Sequence, residues 1–174
     1  MWAMSKQKVE NFFGRMTKSM QLDVKKILSW YAYVLFIAPL FFWALIAMRG
    51  GASGQSMRSI IMKQPAVAIA TIIAIVDFVL GYYLLLNKKK FLANRQTYRF
   101  LMVSQLVGQL CVGNLLCVVL SILGMYKSKA LKKTQDNVNP VICAALITST
   151  VLLIGCFALI LLLEFFSYIE ILSF

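Results

Sequence analysis

Long stretches of apolar residues, separated by short polar and basic segments, dominate the pattern along this chain. Four stretches have the roughly 20 residues that an α-helix needs to cross the hydrocarbon core of a bilayer. They cover residues 29–48, 65–86, 100–126 and 141–163. They lack the strict alternation of apolar and polar residues that marks the strands of a membrane barrel. Because lipid offers no partners for backbone polar groups, the pattern predicts four membrane-spanning helices.

The connections between these stretches, residues 49–64, 87–99 and 127–140, are too short for a separate folded domain. We therefore expect an all-α integral membrane protein in which residues 29–174 form a bundle of four transmembrane helices, built as two antiparallel hairpins. In residues 1–28, apolar positions recur every three or four residues with basic residues between them. This pattern predicts an amphipathic helix that lies in the headgroup region, or that uses its apolar face to grip another protein.

Basic residues near the ends of the stretches predict their orientation, because Lys and Arg at these positions are retained in the cytoplasm. Eleven precede the first stretch or lie in the second connection, whereas seven lie in the first and third connections. This bias predicts that both termini are cytoplasmic. The net charge of +12 is spread over these flanking segments without an aromatic nucleic-acid motif, so we expect anionic lipid and not nucleic acid as the partner. The predicted headgroup contacts are Lys25, Lys26, Lys88, Lys89 and Lys90.

Several kinds of catalytic and metal site are excluded by the residue types. The chain contains no histidine, which excludes Ser-His and Cys-His nucleophile pairs and the HExxH zinc motif. The four cysteines lie inside predicted spans without CxxC spacing, which favours a packing role over a disulfide or a metal site. The glycines that follow the first stretch lack the Lys-Ser or Lys-Thr pair of a phosphate-binding loop. We expect a protein that is not an enzyme and has no cofactor.

Asp77 is the first candidate for function, because it lies in the middle of an otherwise apolar or small stretch. An ionisable side chain at the centre of a span costs roughly 2.5 to 3.5 kcal/mol to insert, so it usually faces a partner, a cavity or a transported species. The four stretches contain no Lys or Arg. Since burial disfavours the charged form, we expect a neutral acid that donates a hydrogen bond. The expected acceptor is Asn114, or the carbonyl of Leu35, which Pro39 leaves without its helical partner.

Polar or helix-breaking residues lie near the midpoint of every stretch, so antiparallel packing would bring them to one depth in the bilayer. The candidate midplane cluster is Pro39, Asp77, Asn114 and Thr148. Small polar residues are also common packing residues between membrane helices, so a structural role is the alternative. Small residues on one face of the second and third stretches predict a helix-packing stripe at Ala70, Ala74, Gly81, Gly108 and Cys111. Gln105 and Gln109 form another polar face, which we expect to bond with Tyr82 and Tyr83 of the second stretch.

Two functions are compatible with these features. In the first, the chain is a non-enzymatic accessory or regulatory subunit that packs against another membrane protein, and Asp77 fixes the register. In the second, it is a small oligomeric transporter or channel that uses Asp77 at the midplane for a cation or a proton. The first is favoured because a dedicated transporter more often shows several spaced charges or a filter-like loop. The expected partner is therefore another membrane protein, with a homo-oligomer as the alternative.

Overall fold

The computed structural model describes residues 23–131 and 140–172, except for the side chains of Glu164 and residues 166–172. The described residues form helices and no strand, which confirms the predicted all-α class. The helices are α1 (Val24–Ser53), α2 (Met57–Lys63), α3 (Pro65–Ala93), α4 (Arg95–Val112), α5 (Leu115–Lys127) and α6 (Pro140–Leu172), with a 3₁₀ turn at Ser128–Ala130. The predicted amphipathic helix lies outside the described residues, apart from its last positions.

Three helices in the described part of the chain are long and apolar enough to cross a membrane: α1, α3 and residues Pro140–Leu163 of α6. They correspond to the first, second and fourth predicted spans. Their outer surfaces carry large exposed apolar side chains such as Phe41, Val79 and Leu162, as expected where a helix faces lipid. Their length and composition indicate that the chain associates with a membrane.

The first of these helices begins earlier than the sequence pattern indicates. Val24, Ile27 and Leu28 belong to α1 and are buried in the bundle. Helix α1 therefore runs without a break through residue 28, the position predicted to separate an interfacial helix from the first span. The apolar face assigned to these last positions of the amphipathic helix is covered by neighbouring helices and does not lie on lipid.

Helices α1 and α3 run antiparallel and approach each other closely. The rings of Phe36 and Phe78 stack with their centroids 4.6 Å apart. Gly81 lies directly against the backbone of α1, where an added Cβ atom would be 2.9 Å from the Phe36 nitrogen. The connection between the two helices contains the C-terminal cap of α1 and the N-terminal cap of α2. Gly54, with φ of 64°, ends α1, and the Ser56 hydroxyl caps α2 by accepting from the Ser59 N–H at 3.2 Å.

The predicted third span, residues 100–126, is not one helix. It is divided at Gly113, which ends α4 with a left-handed φ of 79°, a conformation that glycine adopts without strain. The Gly113 N–H donates to the carbonyls of Gln109 and Leu110. The side chain of Asn114 then accepts a hydrogen bond from the Cys117 N–H at 3.3 Å and caps α5. Two complete helix-end signals in succession therefore replace the expected continuous helix.

Helix α5 folds back along α4 after this break. At Gly124, an added Cβ atom would lie 2.7 Å from Met102 Sδ and 2.8 Å from the Tyr98 hydroxyl. In one continuous helix, residues 98 and 124 would be about 39 Å apart at 1.5 Å per residue. The 3₁₀ turn after α5 packs on α4, and its first residue, Ser128, is buried. We call this pair the α4–α5 hairpin, with its tip at Gly113 and Asn114.

Helix α6 runs in the same direction as α4. Thr150 donates to the Ser104 carbonyl at 3.3 Å, and Leu153 packs on Gly108. The starts of α1, α4 and α6 and the ends of α3 and α5 therefore lie together, and we call this the lysine-rich end of the bundle. The opposite end holds α2, the end of α1, the start of α3 and the end of α6. Helices α1 and α3 are antiparallel neighbours, and residues 95–172 form the α4–α5 hairpin and α6 in the described structure.

Two groups of buried apolar side chains hold the helices together. The larger lies between α1, α3 and the α4–α5 hairpin toward the lysine-rich end, and it contains Tyr31, Phe91, Tyr98 and Met102, all fully buried. The smaller joins α3 to α6 nearer the opposite end and contains Ile69, Ile73, Leu153 and Cys156. The hairpin contributes buried residues to the first group, whereas only the partly buried Val112 at its tip packs against the second.

Candidate functional site

Asp77 lies in the middle of α3 with only 6% of its surface exposed. Its partner is Gln109 near the tip of the α4–α5 hairpin, whose Nε2 donates to Asp77 Oδ1 at 2.7 Å. The two residues meet because α3 and α4 run antiparallel on either side of Asn94, and both lie about equally far from it along the chain. Asp77 therefore connects a spanning helix to the end of the hairpin.

Two oxygen atoms of this pair have no donor among the described residues. Gln109 is completely buried, and its Oε1 atom has no hydrogen-bond partner there. The described residues give Asp77 a single hydrogen bond, to Oδ1, so its Oδ2 is also without a donor. A carboxylate or amide oxygen that is buried unpaired costs roughly 1 to 3 kcal/mol or more. One hydrogen bond is therefore formed within the pair, and each residue keeps an oxygen without a donor among the described residues.

A cavity of about 300 Å³ adjoins Asp77, and we call it the Asp77 cavity. Its wall is apolar apart from the one carboxyl group. It is lined by Ala38, Pro39, Phe42, Ala70, Ile73, Ala74, Asp77, Val112 and Ile160.

The position of the Asp77 cavity follows from where the hairpin ends. Val112, the last residue of α4, lines the cavity. The α3 residues in the wall besides Asp77 all lie between Asp77 and the start of α3. Toward the lysine-rich end, the two helices of the hairpin fill the space beside α1, α3 and α6. Beyond the tip, α1, α3 and α6 border the cavity. Asp77 therefore stands at its inner end, close to the middle of the bundle.

Gln105, one turn before Gln109, makes a second polar contact inside the bundle. Its Nε2 donates to Ser149 Oγ at 3.2 Å, and its Oε1 accepts from the Tyr31 hydroxyl at a long 3.5 Å. Ser149 in turn donates to the Leu146 carbonyl at 2.9 Å. This network joins α1, α4 and α6 at a completely buried amide.

The prediction that Gln105 and Gln109 bond with tyrosines of α3 is wrong. Tyr82 is 54% exposed, and the ring of Tyr83 packs against Phe91 with the centroids 6.1 Å apart. The physical reason is the rotation of α4 about its axis, which turns the two amides toward Asp77 and the α1–α6 side.

The structure brings together two of the four residues predicted as a midplane cluster. Pro39 and Asp77 share the wall of the Asp77 cavity. Asn114 does not accept from Asp77, because its side chain is used to cap α5. Thr148 is exposed and lines a separate, largely apolar groove of about 460 Å³ between α3 and α6. One residue further along α6, Ser149 points into the bundle and accepts a hydrogen bond from Gln105, which lies outside the predicted cluster.

The predicted packing stripe divides into residues with different surroundings. Gly81 touches the backbone of α1, and an added Cβ atom at Gly108 would lie 2.9 Å from Leu153 Cδ1 of α6. Ala70 and Ala74 instead line the Asp77 cavity. Cys111 is half-buried. The small residues therefore allow close helix contacts on the lysine-rich side of Asp77 and form a smooth wall on the other side.

The five lysines expected at lipid headgroups lie together at the lysine-rich end. Lys88 donates to Ser29 Oγ, which joins the end of α3 to the start of α1. Because α5 reverses direction, Lys127 and Lys129 also lie at this end, whereas the sequence pattern placed them at the other. In the described residues the opposite end carries Arg49, Arg58 and Lys63.

Within the described part of the chain, no group of three or more His, Cys, Asp or Glu residues is placed to hold a metal ion, and the four cysteines are free thiols. Comparison of the chain with protein-family models, with curated proteins and with solved structures finds no match. Function is therefore argued from the Asp77 cavity and its surroundings.

Proposed function

We propose that this chain is a non-enzymatic accessory or regulatory subunit that packs against another membrane protein. The observation that carries the proposal is the position of Asp77 at the inner end of an apolar cavity, with Oδ2 lacking a donor among the described residues. An acid at this depth is costly unless a partner completes its surroundings. A neighbouring protein that enters the cavity would supply both the apolar contacts and the missing hydrogen bond.

The other buried polar groups favour this role over transport. Gln105 donates to Ser149 and accepts from Tyr31, and Thr150 donates to the backbone of α4. Their hydrogen bonds hold helices of the same chain together. A conducting pathway needs a succession of polar groups along its wall, whereas the wall of the Asp77 cavity offers a single carboxyl.

A second candidate function is the handling of a cation or proton by an oligomer. The observation that favours it is the pair of acceptor oxygens, Asp77 Oδ2 and Gln109 Oε1, beside a helix that ends inside the bundle. The test is flux into proteoliposomes, with the Asp77→Asn variant as comparison. Flux that depends on Asp77 would support this function, and unchanged flux would remove the residue from any transport mechanism.

For the arrangement in the membrane, we propose three spans and one re-entrant hairpin that enters from the cytoplasm. Among the described residues, nine Lys and Arg side chains lie at the lysine-rich end and three at the opposite end. This is a stronger bias than four continuous spans would give, and it assigns the lysine-rich end to the cytoplasm. The end of α6 then lies on the other side, in contrast to the expectation of two cytoplasmic termini. At the hairpin tip Gly113 is exposed, but its N–H donates to the Gln109 and Leu110 carbonyls and the Asn114 side chain caps α5, so these polar groups are paired within the chain.

Thiol labelling distinguishes this topology from four spans. In a background without cysteine, single-cysteine variants Gly51→Cys, Gln96→Cys and Ala130→Cys are treated in intact cells with a membrane-impermeant thiol reagent. All three positions are exposed. We expect outside labelling at Gly51 alone, with Gln96 and Ala130 labelled after permeabilisation. Four continuous spans would place Ala130 with Gly51, so outside labelling of Ala130→Cys would contradict the re-entrant hairpin.

Purification in mild detergent followed by native mass measurement tests the accessory role. We expect a stable complex that contains this chain and a different membrane protein. A pure homo-oligomer, or a monomer from membranes in which the chain is at its native level, would contradict the accessory role.

A further inference from the structure

We propose that the Asp77 cavity receives a transmembrane helix of another protein, and that this helix carries a Lys or Arg at the depth of Asp77. The inference rests on the proposed accessory function and specifies its contact. It assigns to Asp77 Oδ2 the role of accepting a charge-assisted hydrogen bond from the partner.

The shape of the cavity suits a helix. The α4–α5 hairpin stops at Val112, so beyond this level the bundle lacks the helix that fills the corresponding space at the lysine-rich end. The part of α3 from Pro65 to Asp77 is about 18 Å long at 1.5 Å per residue, enough to contact roughly three turns of a neighbouring helix. Ala70 and Ala74 on α3 and Ala38 on α1 are small, and such residues let another backbone approach closely.

The chemistry at the inner end of the cavity calls for a donor with positive charge. Gln109 Nε2 is committed to Asp77 Oδ1, and its Oε1 is left without a partner among the described residues. Asp77 lines the cavity and keeps Oδ2 as an acceptor there, whereas Gln109 is completely buried and is not part of the wall. Lys and Arg carry several N–H donors and no acceptor, and a charge-assisted bond to a carboxylate is among the strongest a protein makes. The apolar wall keeps water away and strengthens this attraction.

A second copy of this chain does not meet the requirement. Its described basic residues lie at the two ends of the bundle, and those of the opposite end, Arg49, Arg58 and Lys63, lie far from the level of Asp77. From Pro39, which shares the cavity wall with Asp77, Arg49 is about 15 Å further along α1. A lipid acyl chain would cover the apolar wall but would leave Asp77 Oδ2 unpaired. A helix of a different protein supplies both the apolar surface and the donor.

The test uses synthetic transmembrane helices with the purified full chain in lipid vesicles. Two Leu/Ala peptides of about 23 residues differ only at the central position, which is Lys in one and Leu in the other. Association is measured by energy transfer between a dye on the peptide and a dye on the protein. We expect the Lys peptide to associate about tenfold more tightly, because interhelical polar contacts in membranes reach this size.

Matched variants connect the preference to the cavity. In Asp77→Asn, which can still accept from Gln109, the Lys and Leu peptides should differ by about twofold or less, since the amide carries no charge. The control Asp23→Asn removes an exposed acid at the start of α1 and should leave the tenfold preference intact. Ala74→Leu narrows the cavity and should weaken both peptides alike. Thermal unfolding of each variant checks that the fold is retained.

Any of three results in the peptide experiment would overturn the inference. The two peptides could associate equally, or the preference for the Lys peptide could survive Asp77→Asn. Excess unlabelled chain could also displace both peptides, which would make a second copy the occupant. The proposed function fails separately. A native complex that is unaffected by Asp77→Asn contradicts the inference while the accessory role stands. Peptide association that depends on Asp77, in a chain that purifies without a partner protein, supports the inference and contradicts the accessory role.

Discussion

The two halves of the bundle, divided at the level of Asp77, are built differently. Toward the lysine-rich end, the α4–α5 hairpin packs between the spanning helices and buries large side chains such as Tyr31, Phe91 and Tyr98. Toward the opposite end, α1, α3 and α6 border the Asp77 cavity. The comparison teaches that one half carries the packing that holds the fold together, while the other half has apolar surface available for a partner.

Polar side chains are buried on both sides of this level, and on the lysine-rich side the Tyr98 hydroxyl and Ser121 Oγ have no hydrogen-bond partner among the described residues. On the lysine-rich side, Gln105 donates to Ser149 and accepts from Tyr31. At the boundary, Gln109 and Asp77 share one hydrogen bond, and each keeps an oxygen without a donor among the described residues. Satisfied networks rigidify a core, whereas a partly satisfied pair costs stability unless something completes it. At this boundary, we therefore expect that an arrangement which lowers the stability of the free chain favours binding of a partner.

The largest effect is expected where the packed half is tightest. In Gly81→Ala, the new Cβ atom would lie 2.9 Å from the Phe36 nitrogen and 3.1 Å from the Ala32 carbonyl oxygen. These are backbone atoms and cannot move aside as a flexible side chain would, so α1 and α3 must separate. Overpacking of this kind costs about 1 to 3 kcal/mol. Thermal or denaturant unfolding in detergent micelles measures the loss.

Gly155→Ala is the matched control for this substitution. Gly155 lies in α6 with nothing within 4 Å of an added Cβ atom. Alanine favours a helix over glycine, so the control should be as stable as the parent or more stable, by up to about 1 kcal/mol. An equal loss of unfolding free energy in the two variants would contradict the difference in packing between the two halves.

A smaller effect is expected at the boundary itself. Gln109→Leu removes the 2.7 Å hydrogen bond and leaves Asp77 without a donor in the described structure. An unpaired buried acceptor costs about 1 to 3 kcal/mol, and membrane hydrogen bonds lie toward the lower value. In an Asp77→Leu background the same substitution should cost less, because no carboxyl remains to be satisfied. A double-mutant cycle of unfolding free energies measures the coupling, and additive costs would contradict the pairing.

Much of the fold could be predicted from the sequence, because an apolar run of spanning length has few alternatives in a membrane. Helices α1, α3 and α6 follow from such runs, and α3 begins at Pro65 as predicted. The prediction of one helix over residues 100–126 is wrong because it rested on the length of the apolar stretch alone. A local signal was present: Gly113 followed by Asn114 combines a residue that ends helices with one that starts them. The packing of Gly124 on α4 shows that this local signal outweighs length.

For the candidate site, the sequence predicts the level of a residue along its helix but not the direction in which its side chain points. Asp77 and Pro39 do share one cavity. Gln109 was missed as the partner of Asp77, although both residues are about equally distant from Asn94 and so lie level in antiparallel helices. Thr148 faces outward while its neighbour Ser149 bonds to Gln105 inside the bundle, because successive residues on a helix differ by about 100° in direction. Depth comes from residue spacing, whereas rotation depends on which helices pack together.

The smallest expected effect tests the hairpin tip, which separates the two halves. Asn114→Ala removes the acceptor for the Cys117 N–H, which is bonded at 3.3 Å, and loss of such a cap costs about 1 kcal/mol. Asn87→Ala is the control, because the Asn87 side chain donates to the Tyr83 carbonyl within its own helix and caps nothing. That change should stay within about 0.5 kcal/mol. Unfolding measurements compare the two variants, and hydrogen exchange of the α5 amides should rise in the first only, because α5 then begins without its cap. Unchanged exchange in Asn114→Ala would mean that the hairpin is held by its packing on α1 and α4 and not by the signals at its tip.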